Sequence, residues 1–196
     1  YFSADVPEPG VIHHTEGNRI SFGEPDGTRS ERCRAIAAAL IAAGFRCPVS
    51  TRFRHEIWVK LMGNVAFNPI SALTGGTLEE LARHPEVSKV VRELMAETEA
   101  VAARLDIELP ISVDQRMAGA AKVGAHKTSM LQDFEAGRPM ELEAVVGAVV
   151  ELGEVGAGLH PHLGVEVGQG LVHAEDLRCT DDRPAHRHPL ALAARE

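Results

Sequence analysis

The sequence has 196 residues, enough for one compact domain or for one small domain and part of another. Hydrophobic residues make up 44% of it and aromatic residues only 4%, a balance that favours closely packed helices over a β-sandwich. The formal charge of −8 argues against nucleic-acid binding, and no apolar run approaches the roughly 20 residues that span a bilayer. The three cysteines are widely spaced, so we expect a reducing, cytoplasmic location rather than a disulfide framework or zinc site.

Residues 1–50 have the mixed pattern of an α/β segment. Two short strand candidates with turn residues between them predict a hairpin. A helix follows, which the hydroxyl of Ser30 can cap and Gly44 can end, and a third short strand comes after it. Helix followed by strand is typical of the end of a doubly wound domain. The strand candidates are 11–14, 19–22 and 45–49, and the hairpin turn is 16–18.

From residue 51 the pattern changes to helix after helix. The first helix is predicted over 54–73, although Pro69 must bend or interrupt it. Residues 51–162 therefore predict a helical domain. Residues 163–196 are poor core material and predict a divergent, poorly ordered tail. After a turn at 74–77, further helices are predicted over 85–105, 112–123 and 143–152.

The sharpest local feature is a row of polar residues in the first of these helices. Lys60, Asn64 and Asn68 stand four apart, so each step drifts only about 40° around a helix axis and all three share one face. Ile57, Leu61 and Val65 occupy nearly the same sector. Asparagine is a poor helix former and is costly when buried unpaired. Periodicity alone leaves two interpretations open, a functional row or a solvated edge.

A second feature lies about sixty residues further on. Ser129-Met130-Leu131-Gln132-Asp133 is followed by Gly137-Arg138 and then by Glu141. From the residues alone, the simplest interpretation is a loop and a helix start, with Ser129 as an N-cap and Glu141 as a first-turn acid. His160-Pro161-His162 has no acidic cluster beside it, so we expect no metal site there.

Taken together, these two features resemble the signatures of the ketopantoate reductase family. The first is Trp58-Val59-Lys60-Leu61 with Asn64 and Asn68-Pro69, and the second is the Ser129 segment with Glu141. Each is moderately specific, and the two occur in the family's order. The resemblance covers residues 1–162. It implies the end of a Rossmann-type domain followed by a helical domain like that of 6-phosphogluconate dehydrogenase, with α/β and all-α parts.

The resemblance also implies an activity and a role for each residue. The family reduces 2-dehydropantoate to pantoate with NADPH, on the route to pantothenate and coenzyme A. Lys60 would be the general acid, and Asn64, Asn68 and Ser129 would hold the substrate. Glu141 would lie near the cofactor and the substrate hydroxyl, and Ala4 in a segment that approaches the nicotinamide. The implied partners are a small 2-oxo acid and a second copy of the chain, joined through the helical domain.

Two departures from the family set the remaining expectations. The glycine-rich phosphate turn G-x-G-x-x-G occurs nowhere in the sequence, so we expect only the last part of the cofactor domain here. Residues 1–196 alone are then expected to be nearly inactive. Leu78 stands where some members place a substrate-contacting asparagine, which keeps open a reductase of another 2-oxo acid. A non-catalytic helical dimerisation or binding module is the alternative outside enzymes.

Overall fold

The computed structural model describes residues 2–156, with side-chain surroundings for residues 2–154. Over this range the fold is mostly helical, with one small two-stranded sheet. The chain divides into two compact units, Tyr1–Ile57 and Trp58–Glu196. The predicted tail and the histidines at 160 and 162 lie outside the described residues. The domain bounds 1–50, 51–162 and 163–196 stay predictions.

The hairpin of the first unit is not the one that the sequence predicts. Strand β1 (Ser3–Glu8) pairs antiparallel with β2 (Val11–Glu16), so the predicted pairing of 11–14 with 19–22 is wrong. The turn between them contains Pro9 and Gly10, and Gly10 has a φ of 86°, which glycine adopts readily. A Pro-Gly pair is a stronger turn signal than Glu16-Gly17-Asn18, because proline presets one central residue and glycine supplies the other.

The second strand candidate pairs elsewhere in the first unit. Arg19 and Phe22 form isolated parallel bridges with Arg46 and Val49. Helix α1 (Glu31–Ala42) lies between these two extended segments in sequence, a reduced form of a β-α-β connection. The prediction that Ser30 caps this helix is confirmed, because its side chain accepts a hydrogen bond from the backbone N–H of Cys33.

A polar cluster joins the turn before α1 to the start of that helix. Glu24 is only 7% exposed, and its carboxylate accepts hydrogen bonds from the Arg32 guanidinium and the hydroxyl of Ser30. The Cys33 thiol also donates to it, at 3.4 Å. Arg32 first, and then Ser30, lower the pKa of Glu24 from 4.5 to about 2. The carboxylate therefore stays charged in mild acid.

The second unit is built from helices. Helix α2 begins in the first unit and continues through Pro69, so the proline does not interrupt it. Helix α3 was not predicted; its six residues are too few for a periodic signal, although a capping box of Thr77 and Glu80 marks its start. The last helical stretch alternates π and α turns. The elements are α2 (Phe53–Thr74), α3 (Leu78–Arg83), α4 (Val87–Arg104), α5 (Val113–Val123), α6 (Ser129–Glu135), a π turn (Glu143–Gly147), α7 (Ala148–Glu151) and a second π turn (Leu152–Gly156).

Three apolar clusters hold these helices together. The main cluster joins α2 to α3, α4 and α5, and Met62, Phe67 and Met95 are almost completely buried in it. A second cluster packs Trp58 and Val65 of α2 against the end of α4 and against α7. The third, which we call the rear cluster, consists of Ala72, Met130, Leu142 and Val146. Helix α2 contributes to all three clusters, so its position is strongly constrained.

Candidate functional site

Helix α2 carries the predicted row of polar residues from solvent into the interior. Lys60 is exposed, Asn64 is half-buried and Asn68 is buried, at 8% exposure. All three belong to one continuous helix, so they share a face, and Lys60 and Asn68 are about 12 Å apart along its axis. An exposed cation at one end of the row and amides further along it would suit a polar ligand.

The second predicted segment begins one residue earlier than its sequence suggests. Thr128, not Ser129, is the N-cap of α6, and its hydroxyl accepts the Leu131 backbone N–H at 3.1 Å. The N-cap assignment of Ser129 is therefore wrong. Ser129 is the first helical residue and is exposed, whereas Thr128 is buried. Sequence reasoning missed Thr128 because adjacent threonine and serine are both good cap residues and serine is slightly the better one.

Glu141 lies directly before the last helical stretch rather than in its first turn. It is exposed, and its carbonyl accepts the Val145 backbone N–H at 3.1 Å. The turn that follows is π-helical, with Gly147 on the side where Glu143 lies: a Cβ on Gly147 would stand 2.7 Å from the Glu143 carboxylate. π turns inside helices are frequent near functional sites.

The rear cluster connects the three segments that carry Asn68, Ser129 and Glu141. Ala72 lies one helical turn after Asn68, Met130 follows Ser129, and Leu142 follows Glu141. The segments that carry these polar residues are thus held together by apolar side chains one or four positions away in sequence. The clustering was not predictable from periodicity, because it depends on how α6 and the last helical stretch fold back onto α2.

The side chains of the five predicted site residues of the second unit have no hydrogen-bonding role in the described structure. Within residues 2–154, their side chains make no hydrogen bond or ion pair with one another or with any other residue. Several neighbouring charged groups, in contrast, are paired, including Lys127 with Glu135 and Arg138 with Asp133. The polar groups of these five side chains therefore have no hydrogen-bond or ion-pair partner within residues 2–154.

Sequence reasoning did not identify one positively charged residue that lies near α2, Arg116. The Arg116 guanidinium of α5 lies against Gly63 of α2, so close that a Cβ on the glycine would stand 2.3 Å from it. Burial lowers the pKa of Arg116, yet the guanidinium stays charged at neutral pH. A glycine in the middle of a helix was the available signal, because it costs helix propensity and indicates close packing.

Two further predicted positions have different surroundings. Leu78 begins α3; its backbone N–H donates to the His126 carbonyl, and its side chain packs against the main cluster. Ala4 lies in β1, is exposed and belongs to the first unit, whereas the other candidates belong to the second. Among the described residues, no three His, Cys, Asp or Glu side chains are grouped to hold a metal ion, and no helix could cross a membrane.

Comparisons with known proteins give a family match and similar folds. Residues 52–157 match the family model described as ketopantoate reductase PanE/ApbA C terminal. The chain is 50% identical to a 2-dehydropantoate 2-reductase from Mesorhizobium japonicum over 155 residues, which cover 79% of this chain and 48% of the relative. Its fold resembles the crystal structure of 2-dehydropantoate 2-reductase from Methylococcus capsulatus, with a TM-score of 0.80, 35% identity, and coverage of 93% of this chain and 58% of that one.

A more distant structure bears on the fold alone. D-mandelate dehydrogenase, solved in complex with NADH, matches with a TM-score of 0.78 and 21% identity, over 89% of this chain and 60% of that one. The fold of residues 52–157 is that of the helical C-terminal domain of such reductases. The chain belongs to the ketopantoate reductase family. It spans about half the length of the curated relatives that it matches.

Proposed function

We propose that this chain is the substrate-binding part of an NADPH-dependent 2-dehydropantoate 2-reductase, which makes (R)-pantoate for pantothenate and coenzyme A synthesis. The observation that carries the proposal is the row Lys60, Asn64 and Asn68 on α2, with Ser129 and Glu141 attached to the same helix through the rear cluster. These residues lie within the part of the chain that matches the family model.

The proposed chemistry follows from charge. Addition of hydride to a ketone carbon places negative charge on the ketone oxygen. The Lys60 ammonium stabilises that charge and donates the proton that completes the alcohol, a role that positioned acids perform with rate effects of about 10²–10⁴. The exposed position of Lys60 at the end of the row lets its long side chain reach a bound substrate.

The neutral groups orient the substrate. Asn64 and Asn68 offer amide donors and acceptors at two depths along α2, and Ser129 offers a hydroxyl from α6. Holding the ketone in one orientation lowers the entropic cost of reaching the transition state. We assign Glu141 to the substrate hydroxyl and the neighbourhood of the cofactor, where a carboxylate would accept hydrogen bonds.

NADPH supplies the hydride when it is bound. The unpaired side chains of Lys60 and Glu141 fit the reactive end of such a cofactor. The phosphate-binding glycine turn G-x-G-x-x-G does not occur within residues 1–196, so we assign none of these residues to the phosphates. We also infer that the first unit is the end of a Rossmann-type domain, in which Ala4 approaches the nicotinamide, and that the helical domains form a homodimer.

A reductase of another 2-oxo acid is the second candidate. Leu78 supports it, because an apolar side chain packed on the main cluster replaces an amide that could bind the substrate hydroxyl. A site without that amide discriminates less between hydroxylated and plain oxo acids. Comparison of kcat/KM for ketopantoate and for unhydroxylated 2-oxo acids decides between the two substrates.

Lys60→Ala in the complete protein tests the main proposal. We expect kcat to fall by about 10²–10⁴ while the Kd for NADPH, measured by fluorescence titration, changes little. Lys89→Ala is the matched control, since Lys89 is an exposed lysine of α4 paired with Glu86. An unchanged kcat for Lys60→Ala, or an equal loss in the control, would remove Lys60 from the mechanism.

A further inference from the structure

We infer that Thr128 is a positioning residue that keeps the Ser129 hydroxyl available to the substrate by occupying the N-cap of α6 in its place. This inference rests on the proposed function, because it assumes that Ser129 binds the oxo acid. Thr128 and Ser129 are adjacent, and the hydroxyl of either one could cap the N-terminus of α6. Only one of them can cap the helix, and the other is left free.

The two residues compete because either one could satisfy the same backbone donors. An N-cap side chain accepts from the N–H two or three positions later. For Thr128 that donor is Leu131, at 3.1 Å. For Ser129 the donors would be Leu131 or Gln132. Serine is intrinsically the slightly better cap, so local preference alone favours the wrong residue.

Tertiary contacts decide the competition for Thr128. Its side chain is 5% exposed, while Ser129 is exposed to solvent. Met130 and Leu131, which follow directly, are almost fully buried, so the first turn of α6 is held against its neighbours. The Thr128 carbonyl also accepts the Gln132 backbone N–H at 3.1 Å, which places Ser129 inside the helix rather than before it.

The segment around Thr128 has additional ties. The Gln132 side-chain amide donates to the Lys127 carbonyl at 3.0 Å, and the Lys127 ammonium contacts both carboxylate oxygens of Glu135, at 2.7 and 2.8 Å. A helix of seven residues is not stable by itself, so these contacts and the cap determine its first turn. With Thr128 as the cap, the Ser129 hydroxyl has no partner among the described residues.

Removal of the Thr128 hydroxyl should transfer the cap to Ser129. In Thr128→Ala, Ser129 leaves the helical conformation and its hydroxyl turns back onto the backbone. The substrate then loses the same hydrogen bond as in Ser129→Ala. We therefore expect both variants of the complete protein to raise KM for the oxo acid by roughly tenfold, with a smaller change in kcat.

The double variant Thr128→Ala/Ser129→Ala distinguishes cap transfer from two independent effects on KM. Because both single changes remove one interaction, the double variant should raise KM no further, whereas independent effects would multiply to roughly a hundredfold. Thr128→Ser should restore the normal KM. Ser112→Ala is the matched control, since it removes the equivalent cap of α5, which should lower thermal stability and leave KM unchanged.

Hydrogen exchange provides a readout that does not depend on the reaction. In Thr128→Ala, either the Leu131 or the Gln132 amide should stay protected, because the Ser129 hydroxyl replaces the cap, and this protection should be lost in the double variant. Equal loss of protection in Thr128→Ala and in the double variant, or multiplied KM effects, would overturn the inference. If Ser129→Ala leaves KM unchanged while the exchange pattern is as expected, the proposed substrate role of Ser129 fails and the cap competition stands.

Discussion

The two units of the chain are stabilised by different chemistry. In the first unit, Cys33, Ala37, Cys47 and Glu24 are the buried residues among those described, and the exposed strands leave Ile12 at 74% exposure. In the second unit, three apolar clusters bury whole faces of α2, α4 and α5. The comparison teaches that the second unit is stabilised mainly by apolar burial, whereas the first unit combines few buried apolar residues with a well-paired buried carboxylate.

The largest expected effect is loss of apolar packing in the second unit. Phe67 is 1% exposed within the main cluster, so Phe67→Ala should destabilise the protein by about 3–5 kcal/mol. Urea unfolding followed by Trp58 fluorescence and circular dichroism measures this change. Phe2→Ala, at a 40% exposed aromatic residue of the first unit, should cost far less. Equal losses would contradict the contrast between the units.

The next effect tests the close packing of the first unit. A Cβ on Gly23 would stand 2.1 Å from the Ser50 carbonyl oxygen, a backbone atom that cannot rotate away. Gly23→Ala should therefore cost about 1–3 kcal/mol and expose α1 to hydrogen exchange. Gly119→Ala is the matched control, because its Cβ would meet nothing within 4 Å and should stabilise α5 by about 0.5–1 kcal/mol. If Gly23→Ala leaves the free energy of unfolding unchanged, the turn at Gly23 is loosely packed.

The smallest effect is the acid sensitivity of the first unit. Because Arg32 and Ser30 lower the pKa of Glu24 from 4.5 to about 2, the charged carboxylate stabilises the fold fully above about pH 4.5. This contribution is lost progressively as the pH falls from 4.5 towards 2. Urea unfolding between pH 6 and pH 2.5 should show a steeper decline for the wild type than for Glu24→Gln. Parallel curves would show that Glu24 does not contribute in this way.

Much of the helical unit could be predicted from the sequence, and the errors have physical causes. Helix α2, the Ser30 cap and the positions of α4 and α5 follow from local periodicity and capping residues. The hairpin was misplaced because two turn signals compete within ten residues, and Pro9-Gly10 is the stronger. Helix α3 was missed because six residues carry too little periodicity.

The candidate site also has a part that the sequence predicts and a part that it does not. The spacing of Lys60, Asn64 and Asn68 already placed them on one helix face, because helical geometry is local. That Asn68 is buried and Lys60 exposed depends on neighbours more distant in sequence. The close approach of Arg116 to Gly63 depends on the packing of α5 against α2, and no sequence motif predicts that packing.

By itself, the sequence determined the succession of helices, the polar row of α2 and the membership of the ketopantoate reductase family, because these depend on residue type and spacing along the chain. Only the tertiary structure decided that Thr128 rather than Ser129 caps α6, and that the Ser129 and Glu141 segments meet the end of α2. Those outcomes depend on which apolar neighbours are buried together in the rear cluster, and burial is set by contacts between segments more than fifty residues apart.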